Sequence, residues 1–424
     1  MAAEGWRGTN LENARDCGFD PDRLWRAFGL LDGWIKDGVL PGAAALVARG
    51  GRIVGETYVG LANRTENRPV DSSTIWGLAS ITKPFTATAV MQLVEHGVLS
   101  LDEPAYRYLP DFLDAPETAF NRRHVTLRHL LTHSSGLPGF SEDNFDLRRA
   151  RQPLSAFVQS FMRQPLFFAP GTAHIYSNPA ILMAAEIVAR AVSGKLGQSM
   201  TAPQIQSFLD HVRSQILEPL GMASSSMSPP DEWNDRRAWV EGTGQEGTDW
   251  EMANSAYYRG LSFPWGGLFS TPRDLGRFTD LFLPSAQGRP RVVGRPVVPV
   301  EPIQFLSPVT TAAMTAIQFA PPDAPAETAR DLRDGSPRTP LLAAVEWGLG
   351  WEVKGTKRPN RTGELTSAAT FSHAGATGTV VWADPETDVV CVFLTNRTLA
   401  SGWTTEQPRQ AMFSNAVMSA LAER

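Results

Sequence analysis

The sequence predicts a mixed α/β protein of the α+β kind. An antiparallel sheet flanked by helices is built from both ends of the chain, with a mostly helical subdomain inserted between the halves. Three observations predict it. Near the start, residues 42–49 and 53–59 are apolar runs flanking Gly50-Gly51, a hairpin signal. Near the end, residues 379–383 and 388–395 repeat that pattern around Asp384-Pro385-Glu386-Thr387. Between them, from about 100 to 260, apolar residues recur at helical spacing and the connections are rich in Pro, Gly and Ser. The chain divides into 1–99 and 261–424, the two parts of the α/β domain, and 100–260, the insertion.

Taken in order, residues 21–37 form an amphipathic helix with Leu24, Trp25, Phe28, Leu31, Trp34 and Ile35 on one side. The first hairpin follows. Gly77-Leu78-Ala79-Ser80-Ile81-Thr82-Lys83-Pro84-Phe85 then runs from a strand or loop into a helix that continues to Glu95, with Gly97 as its stop. Residues 127–131, 154–162, 181–192 and 205–217 carry helical period. Strand character returns at 266–270, and Thr271 before Pro272 is a helix start. Residues 284–340, rich in Pro, Ala and Arg, hold long loops. After Trp347-Gly348-Leu349-Gly350-Trp351, the stretch Ser372–Thr379 opens a strand, and 405–423 close the chain as a helix. No internal repeat is visible.

Composition excludes several classes. The chain has 424 residues, 42% hydrophobic and 20% charged, which describes an ordinary globular protein large enough for a big core. A net charge of −5 and the lack of a basic cluster argue against nucleic acid. No apolar run is long enough to span a bilayer. Cys17 and Cys391 fit a reducing compartment better than a disulfide scaffold. Residues 1–22 are polar with no apolar leader, so the expected location is the cytoplasm. Nothing in the pattern reports an oligomeric state.

The chemistry starts at Ser80-Ile81-Thr82-Lys83. At a helix start these two side chains share a face, one turn apart. The hydroxyl lies where helix N–H groups point, and a desolvated lysine amine can fall in pKa far enough to act as a base. A serine before a helix is also an ordinary N-cap, and a lysine three residues on an ordinary solvated chain. Only five lysines occur, at 36, 83, 195, 354 and 357, among 39 basic residues, so this placement gains weight. Four further stretches accompany it: Leu130-Leu-Thr-His-Ser-Ser-Gly-Leu-Pro138, Pro170-Gly-Thr-Ala-His-Ile-Tyr-Ser-Asn178, Trp265-Gly-Gly-Leu-Phe-Ser-Thr271, and Ser372-His-Ala-Gly-Ala-Thr-Gly-Thr379.

With those residues in place, the chain from about 20 to 420 resembles the serine β-lactamase-like superfamily. That group includes class C β-lactamases, DD-peptidases, family VIII carboxylesterases and related acyltransferases. Its pattern of S-x-x-K, Y-x-N and a K-T-G or H-T-G variant is matched by Ser80–Lys83, Tyr176-Ser177-Asn178 and His373-Ala374-Gly375. The resemblance implies the β-lactamase/transpeptidase-like fold, Ser80 as nucleophile, and Lys83 and Tyr176 sharing the proton work, with the first acceptor left open. It implies that Asn178 orients Lys83 or the substrate, and that the oxyanion hole is the N–H groups of Ser80 and Ala376. It implies an acyl-serine with neither metal nor organic cofactor. Substrate-binding roles fall to His373, Ala374, Gly375 and Trp265, and His373 also supports catalysis. A phenol is a poor base near neutrality unless its anion is stabilised, so Tyr176 is expected to need cationic Lys83 beside it.

Competing patterns are weaker. His129 and His133 stand i, i+4 as zinc ligands can, but the H-E-x-x-H glutamate and a third ligand are missing, and His133 is expected to fix its turn. The nearest approach to a G-x-S-x-G elbow, Gly260-Leu-Ser-Phe-Pro264, lacks the last glycine. Trp233, Trp239, Trp250, Tyr257, Tyr258 and Trp265 crowd one region as core or as an apolar pocket. Where β-lactamases most often have Lys-Thr-Gly, this chain has His-Ala-Gly, which loses a fixed cation and a hydroxyl that would hold a substrate carboxylate. The expected activity is therefore a carboxylesterase on small or medium esters, with weak or no β-lactamase activity. Acyl transfer to an alcohol or amine, amide hydrolysis of the β-lactamase or DD-peptidase type, and binding without turnover are the alternatives.

Overall fold

A computed structural model describes residues 8–115, 119–200, 202–248, 253–286, 305–320 and 346–422. The first helix, α1, runs Pro21–Lys36. Asp20 caps it, its carboxylate accepting the N–H groups of Asp22 and Arg23, and Pro21 occupies the first turn, where a missing N–H costs nothing. Next come β1 (Gly42–Arg49), β2 (Arg52–Asn63), β3 (Arg68–Pro69) and β4 (Trp76–Gly77). A 3₁₀ turn, Ala79–Thr82, feeds α2 (Lys83–Glu95), which is buried on nearly every side and has no polar face.

The inserted region holds α3 (Leu127–Leu131), α4 (Asn144–Arg149), α5 (Leu154–Met162), α6 (Asn178–Val192) and α7 (Ile205–Val212). The helix expected over 205–217 changes pitch at Arg213, where a π turn covers Arg213–Leu217. The chain returns through β5 (Phe269–Ser270) and α8 (Pro272–Asp280), whose N-cap Thr271 accepts the Asp274 N–H. Of the long loops expected over 284–340, residues 287–304 and 321–345 lie outside the described residues, and between them is a helix, Pro308–Thr315, capped by Ser307. The last elements are β6 (Glu352–Val353), β7 (Phe371–Ala374), β8 (Val380–Asp384), β9 (Val389–Thr395) and α9 (Arg409–Ser419). The final helix starts at Arg409 and not at 405, because Pro408 begins it.

The sheet has the order β3-β2-β1-β9-β8-β7-β6, with every pairing antiparallel, so strands from the two ends of the chain meet at β1–β9. In β1, Ala43, Ala45 and Val47 face the layer of α1 and α9, while Ala44, Leu46 and Ala48 join the larger core that holds α2 and α6. Both faces are covered, which is why this strand reads as one continuous apolar run. A separate ribbon, β4–β5, pairs Trp76 with Ser270 and Gly77 with Phe269, and it sets the approach to Ser80.

Candidate active site

Ser80 sits where the ribbon turns into α2. Leu78 donates its N–H to the Leu268 carbonyl, and Ala79 takes a left-handed backbone at φ +48, which reverses the chain at once. A non-glycine residue there is strained and is held by its surroundings. Thr82 Oγ1 helps hold it, donating to the Ala79 carbonyl at 2.7 Å and accepting the Leu268 N–H at 3.0 Å.

Lys83 is completely buried. Its Nζ is 3.0 Å from Ser80 Oγ and donates to the Trp265 carbonyl at 3.0 Å. Among the described residues it has no acidic hydrogen-bond partner, and burial drives its amine well below the ordinary lysine value. A neutral amine against a serine hydroxyl can accept its proton.

Tyr176 closes the group from the inserted region. It ends an extended stretch that the helix α6 follows, with Ser177 as N-cap accepting the Ala180 N–H. Lys83 Nζ lies 4.5 Å from the centre of the Tyr176 ring, and the phenol lies near Ser80. Burial raises the phenol, and the nearby Ser80 hydroxyl only partly offsets this. The expectation of a cationic lysine holding down a phenolate therefore meets a different balance, in which burial favours the neutral form of both groups.

His133, also left-handed at φ +59, fixes this stretch as well as its own turn. Its carbonyl accepts the Ile175 N–H and its Nδ1 accepts the Ser177 N–H at 3.1 Å. Because Nδ1 accepts, the neutral ring carries its proton on Nε2. The ring lies 4.5 Å from that of Tyr176. His129, the other half of the i, i+4 pair, instead takes the Thr126 N–H on Nδ1 as part of a capping box.

Asn178, expected to orient Lys83 or the substrate, is buried and donates Nδ2 to the Gly139 carbonyl at 3.0 Å. Lys83 bonds elsewhere, as given above.

The His-Ala-Gly triplet differs from expectation in its place on the strand. His373 and Ala374 end β7 instead of opening a strand, and a tight turn then leads to β8, closed by Gly375 N–H to the Thr379 carbonyl and by Gly378 at φ +100. Gly375 is demanded by close approach, since a Cβ there would lie 2.1 Å from the Leu78 carbonyl oxygen. Thr377 Oγ1 donates to the Gly77 carbonyl at 2.6 Å and Thr379 Oγ1 to that of Leu78 at 3.2 Å, so the turn carrying Ala376 is clamped beside the turn carrying Ser80. His373 is buried, with Nδ1 3.0 Å from the Ala374 carbonyl. Burial, reinforced by Lys83, pushes it down to about 3, so it is neutral at pH 7.

Two neighbours have no motif to announce them. Trp347 packs its ring 5.7 Å from Tyr176, 4.9 Å from His133 and 5.9 Å from His373. His174 lies 5.6 Å from Trp347, and burial pushes it down to about 4. The only sequence signal for His174 is its position two residues before Tyr176 in an extended stretch, hence on the same side. The Trp265 ring, expected to bind substrate, is 4% exposed and packs on Phe161 and Phe263; the carbonyl is what it offers Lys83. Of the other aromatic residues in that group, Trp250 lies outside the described residues.

A sheet assembled from both chain ends, with Ser80 and Lys83 at the head of the central helix and the triplet on the neighbouring strand end, defines the β-lactamase/transpeptidase-like class. A family model described as Beta-lactamase matches residues 29–406, and the chain belongs to the β-lactamase family of serine hydrolases. Among curated relatives, Esterase EstB of Burkholderia gladioli is 35% identical over 212 residues, which is 46% of this chain and 50% of EstB, so the match spans half that protein's length. A penicillin-binding protein homologue from Caulobacter crescentus superposes with TM-score 0.69 at 23% identity, covering 95% of this chain and 99% of the other. A family VIII carboxylesterase gives 0.67 at 20%, covering 94% and 97%. At such identities the superpositions speak for the fold.

Proposed function

We propose that this protein is a serine carboxylesterase acting on small or medium esters through an acyl-serine. The observation that carries it is the fully buried Lys83 amine, 3.0 Å from Ser80 Oγ with no acid bonded to it among the described residues. Neutral Lys83 takes the Ser80 proton as Oγ bonds to the ester carbonyl carbon. The carbonyl oxygen becomes an oxyanion facing the N–H groups of Ser80 and Ala376. As the C–O bond breaks, the proton passes from Lys83 to the leaving alcohol, with the Tyr176 hydroxyl in reach of Ser80 to relay it. Water then enters by the reverse route, regenerating Ser80 and releasing the acid.

The ester preference rests on His373, which is neutral and buried, and on Ala374, which has no hydroxyl. Together they offer a substrate carboxylate at the scissile end neither a cation nor a donor. EstB, named an esterase, supports the same reading. Both cysteines are buried and unpaired, which supports a reducing compartment. The test is intact-mass spectrometry after exposure to p-nitrophenyl butyrate and to nitrocefin, with turnover followed in parallel. The expected result is transient acylation of Ser80 and a larger kcat/KM for the butyrate. Equal or faster nitrocefin turnover overturns the ester reading, acylation without turnover converts it to binding, and turnover that rises with added alcohol converts it to acyl transfer.

A further inference from the structure

Arg148 on α4 is a cation that no acid answers among the described residues. Its guanidinium carbon lies 5.2 Å from the centre of the Phe263 ring and 5.7 Å from that of Phe140. Its side chain makes one hydrogen bond among the described residues, Nε to Asn144 Oδ1 at 3.3 Å. Two acids nearby in sequence are engaged elsewhere. Asp146 faces Arg149 at 3.5 Å, and Asp143 accepts Ser160 Oγ at 2.5 Å. The two closest phenols also point elsewhere, Tyr257 donating to the Gln152 carbonyl and Tyr258 to that of Gly266. Burial works against the Arg148 charge, and a guanidinium cannot escape by losing its proton. A desolvated charge of this kind wants an anion, and among the described residues none is bonded to it.

Its place relative to Ser80 gives that vacancy a use. Phe140 follows Gly139, whose carbonyl holds Asn178, and Phe263 stacks at 4.1 Å on Trp265, whose carbonyl holds Lys83. A line of packed contacts thus connects Ser80 to Arg148. Along it Phe140 is 42% exposed, and Phe145, three residues before Arg148 on the same face of α4, is 48% exposed. An apolar chain with an anionic end fits that sequence of surfaces.

We infer that Arg148 closes an acyl channel lined by Phe140 and Phe145, and that the esters best used are half-esters of dicarboxylic acids, whose far carboxylate pairs with its guanidinium. This rests on the ester reading. It does not conflict with the neutral end at His373, because the carboxylate lies at the far end of the acyl chain from the scissile bond.

The experiment compares p-nitrophenyl half-esters of succinic to suberic acid with neutral p-nitrophenyl esters of equal chain length. It uses the wild type, Arg148→Gln and Arg148→Lys, with melting temperatures recorded for each. At one chain length the wild type should favour the half-ester by about tenfold in kcat/KM, as expected for a charge-assisted contact. That ratio should fall with added salt, collapse toward one in Arg148→Gln and partly survive in Arg148→Lys. A ratio of one at every length, or an unchanged ratio in Arg148→Gln, overturns the inference while leaving the esterase reading intact. Calorimetric binding of the free dicarboxylates needs no turnover. Equal affinity in wild type and Arg148→Gln overturns the inference even if no ester is cleaved, and weaker affinity in the variant upholds it even then.

Discussion

Two buried cations stand at opposite ends of α6, and the protein treats them in opposite ways. Near its C-terminal end, Arg190 is 1% exposed and fully answered: Asp111 takes two of its N–H groups at 2.6 and 2.7 Å, Glu186 takes Nε at 3.0 Å, and the Gln198 carbonyl takes another at 2.9 Å. Near the N-terminal end, Lys83 is equally enclosed, yet among the described residues it bonds only a hydroxyl and a carbonyl. The first arrangement keeps its charge and ties α6 to the segments around Asp111 and Gln204. The second makes the charge unwelcome and leaves an amine ready to take a proton. Burial alone therefore does not separate a structural cation from a reactive one; the presence of a counter-charge does.

The contrast breaks most sharply at the serine. Ser80→Ala should lower kcat by roughly 10⁴-fold or more, in line with losses on deleting a catalytic nucleophile, while the melting temperature hardly moves. Near-wild-type turnover of p-nitrophenyl butyrate in that variant would remove Ser80 from the chemistry. Next in size come Lys83→Ala, Lys83→Arg and Tyr176→Phe, each expected to cost roughly 10³-fold in kcat/KM, with the double variant Lys83→Ala/Tyr176→Phe little worse than either single one. Arginine cannot serve as the base because it does not give up its proton. In the wild type the rate should rise with pH as Lys83 deprotonates. A double-mutant cycle measured across pH decides this, and additive losses or an active Lys83→Arg enzyme would move the proton work elsewhere.

Stability should run the other way. Arg190→Met strands Glu186 and Asp111 and should cost about 3–5 kcal/mol in urea unfolding at pH 7. Lys83→Met removes an amine that burial forces toward neutrality, so it should stabilise the fold. The sign follows from proton counting. The folded amine titrates below the unfolded value of 10.5, so between the two the unfolded chain holds the extra proton and wild-type stability climbs with pH. The advantage of Lys83→Met is therefore largest below the folded value and shrinks toward pH 10.5. A variant less stable than wild type at pH 7 would contradict this.

The smallest effect concerns the histidines. His373 at about 3 and His174 at about 4 both lie below the 6.5 of a free imidazole. Unfolded chains take up those protons first, so stability should fall as the pH drops from ~6.5 toward 4. His174→Phe should flatten that slope in urea titrations at pH 7 and 5, and an unchanged slope would exclude His174 as a contributor.

Much of this architecture was legible because period and punctuation are local. Gly50-Gly51 between two apolar runs and Thr271 before Pro272 gave a hairpin and a helix start where the chain has them. Ser80, Lys83 and Tyr176 were legible as a motif, and the fold brings them together. That His373 and Ala374 end one strand before the next opens was not legible, because the deciding contact is remote: the Leu78 carbonyl that leaves no room for a Cβ at Gly375. His174 and Trp347 were invisible as site residues, since a lone aromatic ring carries no sign of which neighbour it will touch. The part of Trp265 that matters is a backbone carbonyl, which residue identity does not report.

The clamp between Thr377 and Gly77 joins residues 300 apart in the chain. During synthesis at about 5–20 residues per second, the turn holding Ser80 leaves the ribosome roughly 15–60 s before the strand end that braces it. Through that interval the left-handed backbone at Ala79 has nothing from the far end of the sheet to hold it. The nascent chain thus carries Ser80 in a turn without that brace, which can form only once β9 is available to pair between β1 and β8.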